Sequence, residues 1–260
     1  MSGVGQPECR EVSGMTVNVW AMGDYSRVAD EVLGALGPRL VAACEVGPGQ
    51  RVLDVAAGSG LVAIPAAATG AGVVAADITP ELLDVGRRSG APVEWVEADV
   101  QRMPFEDGEF DVVLSCVGAM FAPDQQAAAD EMLRVCRPGG RLGLVSWTPT
   151  GSIGRFFAVF GSPAPGPAPT DWGSAEHVRS LFGDRVSALS AAEESLPVDR
   201  FSSAAEYCAF YKAHFGPTIA AFAAAQDPAE LDRRFLAYAE KEMAAGLAYD
   251  YLLVVARRAG

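Results

Sequence analysis

Val52-Leu53-Asp54-Val55-Ala56-Ala57-Gly58-Ser59-Gly60 joins a short apolar run to a turn of small residues. The run at 51–56 reads as a buried parallel strand, being short, apolar and bounded by turn residues. Gly58-Ser59-Gly60 then bends the chain into a helix from Leu61 to Thr69. Small residues at such a strand end let a ligand press against the backbone. The helix that follows offers free N–H groups. Ligands of open α/β sheets sit at this carboxyl edge. Many α/β proteins share a glycine turn, so its neighbours must say what it does.

Downstream, strands alternate with helices. A second strand at 72–76 ends on Asp77, and Pro80 opens a helix that Gly90 stops. A third strand covers 93–97 and a fourth 110–116. A helix over 124–136 closes at Arg137-Pro138-Gly139-Gly140, and a fifth strand follows at 141–147. Upstream, 24–44 reads as an amphipathic helix broken near Gly37-Pro38. This alternation predicts an α/β fold with a Rossmann-like, mostly parallel sheet and helices on both faces.

The second half predicts a helix at 152–161, a Pro-rich loop at 162–173 and a helix at 174–182 capped by Ser174. A strand near 186–198 and a last one at 249–257 flank helices at 202–225 and 228–246. The resulting division is a disordered tail at 1–14, a ligand-binding core at 15–150, and a segment at 151–260. That segment completes the sheet and carries a helical cap at about 202–246, within one domain.

Composition narrows the function. The chain has 260 residues, half of them hydrophobic, enough for one full core. A net charge of −13 disfavours nucleic acid, which needs a basic stripe. Five scattered cysteines with no CxxC pair imply neither a disulfide framework nor a metal site. No long uninterrupted apolar run predicts a membrane span, and the N-terminus lacks a signal-peptide pattern, so a cytoplasmic location is the default.

Three later strand ends carry the chemistry. A carboxylate at Asp77 can accept both hydroxyls of a ribose. Asp99, after the third strand, can accept from the exocyclic amine of an adenine. Ser115 and Cys116 end the fourth strand and can face the other end of the ligand. Any one of these alone is ordinary for a loop after a strand.

The strings VLDVAAGSG, AADITPELL, VEADVQRMPFEDGEFDVVLSC and RVCRPGGRL together resemble the class I S-adenosylmethionine-dependent methyltransferases. They are most like the branch of ubiquinone- and menaquinone-biosynthesis enzymes and their small-molecule relatives. The resemblance covers about 15–150 well, and 150–260 only through the WG-helix segment and the last strand. It implies a seven-stranded sheet whose last strand runs antiparallel, inserted between the fifth and sixth, a role given to 249–257. It implies S-adenosylmethionine as cofactor, S-adenosylhomocysteine as product and no metal. Asp54, Ala56, Gly58, Ser59 and Gly60 would surround the methionine part. Asp77 would hold the ribose, Ile78 would pack on the adenine, Asp99 and Val100 would take its edge, and Ser115 would lie near the amino-acid end. The family's first turn glycine is Ala56 here, which the resemblance tolerates if its φ is negative.

The acceptor is then a small, hydrophobic molecule, its acceptor atom (O, C or N) open, bound by a monomer or homodimer. His214 could be a general base, or a surface or core-edge histidine; His177 reads as solvated. Tyr25 could cover the cofactor or simply pack. Met120 and Phe121 could line an acceptor pocket or belong to the core. A nicotinamide oxidoreductase competes, but the third position of its GxGxxG pattern is Ala63. A protein that keeps this fold without methyl transfer, such as a cyclase or binding module, also remains open.

Overall fold

The computed structural model describes residues 9–12, 15–161 and 167–260. Nine strands run in chain order: β1 (Cys9–Val12), β2 (Met15–Asn18), β3 (Arg51–Val55), β4 (Gly72–Asp77), β5 (Val93–Glu97), β6 (Phe110–Cys116), β7 (Cys136–Trp147), β8 (Val186–Pro197) and β9 (Ala248–Arg258). β1 and β2 form an antiparallel hairpin. The disordered tail expected at 1–14 is therefore corrected at 9–12; its other residues lie outside the described ones. The remaining strands form one sheet in the order β5-β4-β3-β6-β7-β9-β8.

β3 pairs in parallel with β4 and β6, β4 with β5, and β6 with β7. β9 lies antiparallel between β7 and β8, as the resemblance implied. Val52, Leu53, Asp54 and Val55 are all buried, as are Val112 to Cys116. Successive strand residues point to opposite faces, so this burial means helices cover both. The edge strands β5 and β8 are half-buried or exposed along their length, apart from buried Leu196.

The helices are α1 (Tyr25–Glu31), α2 (Leu36–Ala43), α3 (Ala63–Ala68), α4 (Pro80–Arg88), α5 (Gln125–Val135), α6 (Ser152–Val159), α7 (Ala175–Phe182), α8 (Ala204–His214), α9 (Gly216–Ala224) and α10 (Pro228–Ala244). The break in the first helical stretch falls before Leu36, one turn ahead of the expected Gly37-Pro38. Pro38 sits in the first turn of α2, where a missing N–H costs nothing. The cap is three helices and not two. Pro217 cannot extend the ladder of α8, and extended Phe215 (φ −99°, ψ 107°) separates α8 from α9. β7 begins earlier than expected, running through Pro138-Gly139-Gly140 with an irregular register against β6.

Side-chain caps fix several helix starts. Asp124 accepts from Ala127 N–H, Ser174 from His177 N–H, Ser203 from Glu206 N–H and Asp227 from Glu230 N–H. α2 meets the glycine turn at Gly37, where an added Cβ would come within 1.9 Å of the Leu61 carbonyl oxygen. Only hydrogen fits there, so the close approach positions the helix behind the turn.

Gly37→Ala should therefore destabilise the protein by about 1–3 kcal/mol through overpacking, despite alanine's better helix propensity. Urea denaturation followed by circular dichroism checks this; an unchanged midpoint would show that α2 can shift freely.

Candidate functional site

The site is built where β3, β4 and β5 end side by side. After Val55 the chain enters the left-handed region at Ala56 (φ 53°), Gly58 (φ 56°) and Gly60 (φ 101°). The condition set for alanine at this position, a negative φ, is not met. The turn is closed from within and from both flanks. Ala57 N–H donates to the Ala76 carbonyl at 3.0 Å, and Gly60 N–H to the Ala57 carbonyl at 2.9 Å. Asp54 Oδ2 accepts from Ala63 N–H at 2.8 Å, and Asp77 Oδ2 from Gly58 N–H at 2.7 Å. Across β6, Ser115 Oγ donates to the Val55 carbonyl at 2.8 Å and accepts from Ala119 N–H at 3.0 Å.

Burial pushes the Asp54 carboxyl up to about 8, against the pull of its bond from Ala63 N–H. Burial also raises Asp77, opposed by bonds from Gly58 and Thr79. The second Asp77 oxygen accepts from Thr79 N–H at 2.8 Å. Thr79 Oγ1 in turn accepts from Asn18 Nδ2 at 3.0 Å, tying the N-terminal segment to this strand end. Asp99 accepts from Gln101 N–H at 2.8 Å.

A cavity of about 170 Å³ opens over these groups. Ala56, Gly58, Ser59, Asp77, Ile78, Asp99 and Val100 all line it, so three stretches far apart in sequence converge. Ile78 is half exposed, the one exposed large hydrophobic side chain among the described residues. Tyr25 and Phe121 also line the cavity. The Tyr25 ring lies over the turn, its Cε1 3.8 Å from where a Gly58 Cβ would stand. Burial, then the charges of Cys116 and Asp77, raise its hydroxyl, so it stays protonated.

Other candidates sit behind the cavity. Asp54, Gly60 and Ser115 support the turn without lining it. Met120 is buried in the core. His214 lines neither this cavity nor the smaller one beside it. Its Nε2 lies 3.0 Å from an Arg27 guanidinium nitrogen, its ring packs on Phe210, and its carbonyl accepts from Asp24 N–H. This pins α1 to α8 and leaves the ring outside both cavities. His177, expected to be solvated, is half-buried with Nε2 2.6 Å from Gln125 Oε1.

Sequence reasoning missed Val117, Gly118 and Gln101 in the cavity wall. Val117 takes φ 48°, a strained state for a β-branched residue. A Cβ on Gly118 would meet the Ala56 carbonyl oxygen at 2.4 Å. A glycine after a strand end was the only available signal. Among the described residues no His, Cys, Asp or Glu cluster could hold a metal ion, and no helix is long and apolar enough to cross a membrane.

Comparison with known proteins agrees with this architecture. A family model described as a methyltransferase domain matches residues 53–144. An uncharacterized protein of Mycobacterium tuberculosis is 45% identical over 254 residues, covering 92% of this chain and 93% of that protein. A demethylmenaquinone methyltransferase of a Mycobacterium species is 44% identical over 110 residues, 42% of this chain and 47% of the relative. The crystal structure of the Bacillus subtilis YcgJ protein superposes with TM-score 0.64 at 17% identity, covering 87% of this chain and 99% of that one.

Two outcomes follow for the turn. Ala56→Gly should stabilise the fold by about 1 kcal/mol, because glycine adopts positive φ without the Cβ penalty; a lower denaturation midpoint would contradict the strain. Asp54 binds its proton more tightly folded than unfolded, so it withdraws stability as pH rises from 3.8 toward about 8. Denaturation at pH 5 and pH 8 should show that loss in the wild type and a flatter profile in Asp54→Asn.

Proposed function

We propose that this chain, whose residues 53–144 match a methyltransferase-domain model, moves the methyl group of S-adenosylmethionine onto a small hydrophobic molecule. The observation that carries this reading is the convergence of the turn, Asp77 and Asp99 on one cavity. The donor set suits the cofactor. A buried carboxylate at the second strand end matches a ribose diol. A carboxylate and the Val100 backbone at the third match an adenine edge, with exposed Ile78 as an apolar platform. The side-chain-poor turn at 56–60 leaves room for the amino-acid part.

Bound there, S-adenosylmethionine supplies a methyl group already activated on a sulfonium. The protein then has mainly to position two molecules and exclude water. Asp77 holds the ribose, and Asp99 and Val100 orient the base. Tyr25 and Trp20 cover the turn, their rings 5.8 Å apart at a steep angle. Tyr25, protonated, serves as a hydrogen-bond donor and not as a base. His214 has no place in the reaction on this reading, being held by Arg27 away from both cavities.

Calorimetry with S-adenosylhomocysteine tests the reading. The wild type should bind, and Asp77→Ala should bind at least about ten-fold more weakly for loss of a charge-assisted bond. Unchanged affinity in the variant, or binding of NAD in place of S-adenosylhomocysteine, would refute it.

A further inference from the structure

Just past the end of β5, three consecutive residues line the larger cavity: Asp99, Val100 and Gln101. Asp99 is half-buried, and all the hydrogen bonds that its carboxylate accepts among the described residues come from Gln101. Oδ1 takes the Gln101 backbone N–H at 2.8 Å and the side-chain nitrogen Nε2 at 3.1 Å. Oδ2 takes Nε2 alone, also at 3.1 Å. The other end of the Gln101 amide is occupied too, since Oε1 accepts from Asp124 N–H at 2.9 Å. A backbone N–H can only donate, so this bond settles which end of the amide is oxygen and turns the NH2 toward Asp99. Asp124 caps α5 and follows directly on Phe121-Ala122-Pro123 of the cavity wall. Gln101 therefore braces Asp99 against the start of α5.

The brace fixes one torsion. A backbone N–H on Oδ1 alone would leave the carboxylate free to turn about its Cβ–Cγ bond, where aspartate has only broad preferences. A donor nitrogen equidistant from both oxygens opposes that rotation. It leaves Oδ2 in a set place with lone pairs to spare. The neighbouring Val100 N–H donates to no group among the described residues. A fixed acceptor and a free donor on adjacent residues match the edge of adenine, which offers an amine donor and the N1 acceptor. Hypoxanthine offers the reverse, a carbonyl and an N1–H, so both contacts would be opposed and left unpaired.

Resting on the reading of the larger cavity as the cofactor site, we propose that Gln101 is the positioning residue that sets the choice of purine there. By locking the Asp99 carboxylate it makes the site accept an amino group on the base and reject a carbonyl in its place. Gln101 acts through Asp99 and not on the base. Its two side-chain bonds divide the work: Nε2 holds the carboxylate, and Oε1 anchors the amide to α5.

Calorimetric titration of the full chain compares S-adenosylhomocysteine with S-inosylhomocysteine, in which a carbonyl replaces the amine. The wild type should prefer the adenosyl compound at least about ten-fold, as expected for one hydrogen bond to a charged group. Gln101→Met keeps the length of the side chain without its donor or acceptor, and the preference should fall at least about five-fold. The adenosyl compound should weaken, while the inosyl compound holds or strengthens as the freed carboxylate turns from its carbonyl. Gln101→Glu keeps the acceptor for Asp124 N–H but sets a second carboxylate against Asp99, and the preference should fall there too. A loss of packing would weaken both ligands together and leave their ratio unchanged. A ratio kept in Gln101→Met, or lost there but kept in Gln101→Glu, overturns the proposal; if Gln101→Met does not fold, Gln101→Glu decides alone. A wild type that binds S-adenosylhomocysteine without preference also overturns it, because Asp99 then does not read the base. A wild type that binds neither compound overturns the cofactor reading instead.

Discussion

Two buried carboxylates hold the backbone amides of one turn, and the site is arranged around them. Asp54 accepts from Ala63 N–H and Asp77 from Gly58 N–H, at 2.8 and 2.7 Å. Helix starts leave amides without partners, and a glycine-rich turn has no side chains to supply them. The strand ends supply them here. The arrangement costs stability, since a carboxylate buried without a cation is disfavoured when ionised. Strain at Ala56 and Val117 adds to that cost. Backbone strain of this kind persists where surrounding structure over-determines it, and here it borders the cavity.

The N-terminal segment and the helical cap behave as one cover over this turn. Asn18 bonds Thr79, next to Asp77. Gly23 bridges Phe215, and Asp24 N–H donates to the His214 carbonyl. Gly216 approaches Val19 so closely that a Cβ would stand 1.9 Å from its carbonyl oxygen. Arg200 links α1 to α8 by pairing with both Glu31 and Glu206. These contacts place Trp20 and Tyr25 between the two cavities and hold His214 at the junction of α1 and α8.

The strands β3 to β6 could be read almost residue by residue from short apolar or alternating runs bounded by turn residues, whereas β7 begins five residues earlier than expected and the β1–β2 hairpin was not read. β5 and β6 fall where alternation and turn residues put them. The two helix misreadings share a cause, a proline near a helix start. The helix break moved because a proline in a first turn and a proline within a helix look alike in sequence. The cap gained a helix because Gly216-Pro217 was read as continuous. Asp77, Asp99, Ile78 and Val100 were visible because each follows directly on a strand. Tyr25 and Phe121 were visible only as aromatic residues near such ends.

The sequence by itself determined the strand–helix alternation from β3 to β7, the parallel sheet and which side chains follow each strand end, through local periodicity and residues adjacent to turns. The antiparallel last strand was implied by the family resemblance alone. Only the tertiary structure decided the rest. The sign of φ at Ala56 follows from how β3, β6 and Gly118 close on it, and no neighbouring residue announces it. Tyr211 and Tyr249 stand 38 residues apart and meet because α8 folds back over β9. His214 sits one helical turn from Tyr211 yet faces Arg27 outside the cavities. A rotation about one helix axis separates a residue that lines the smaller cavity from one at a helix junction, and packing alone sets that rotation.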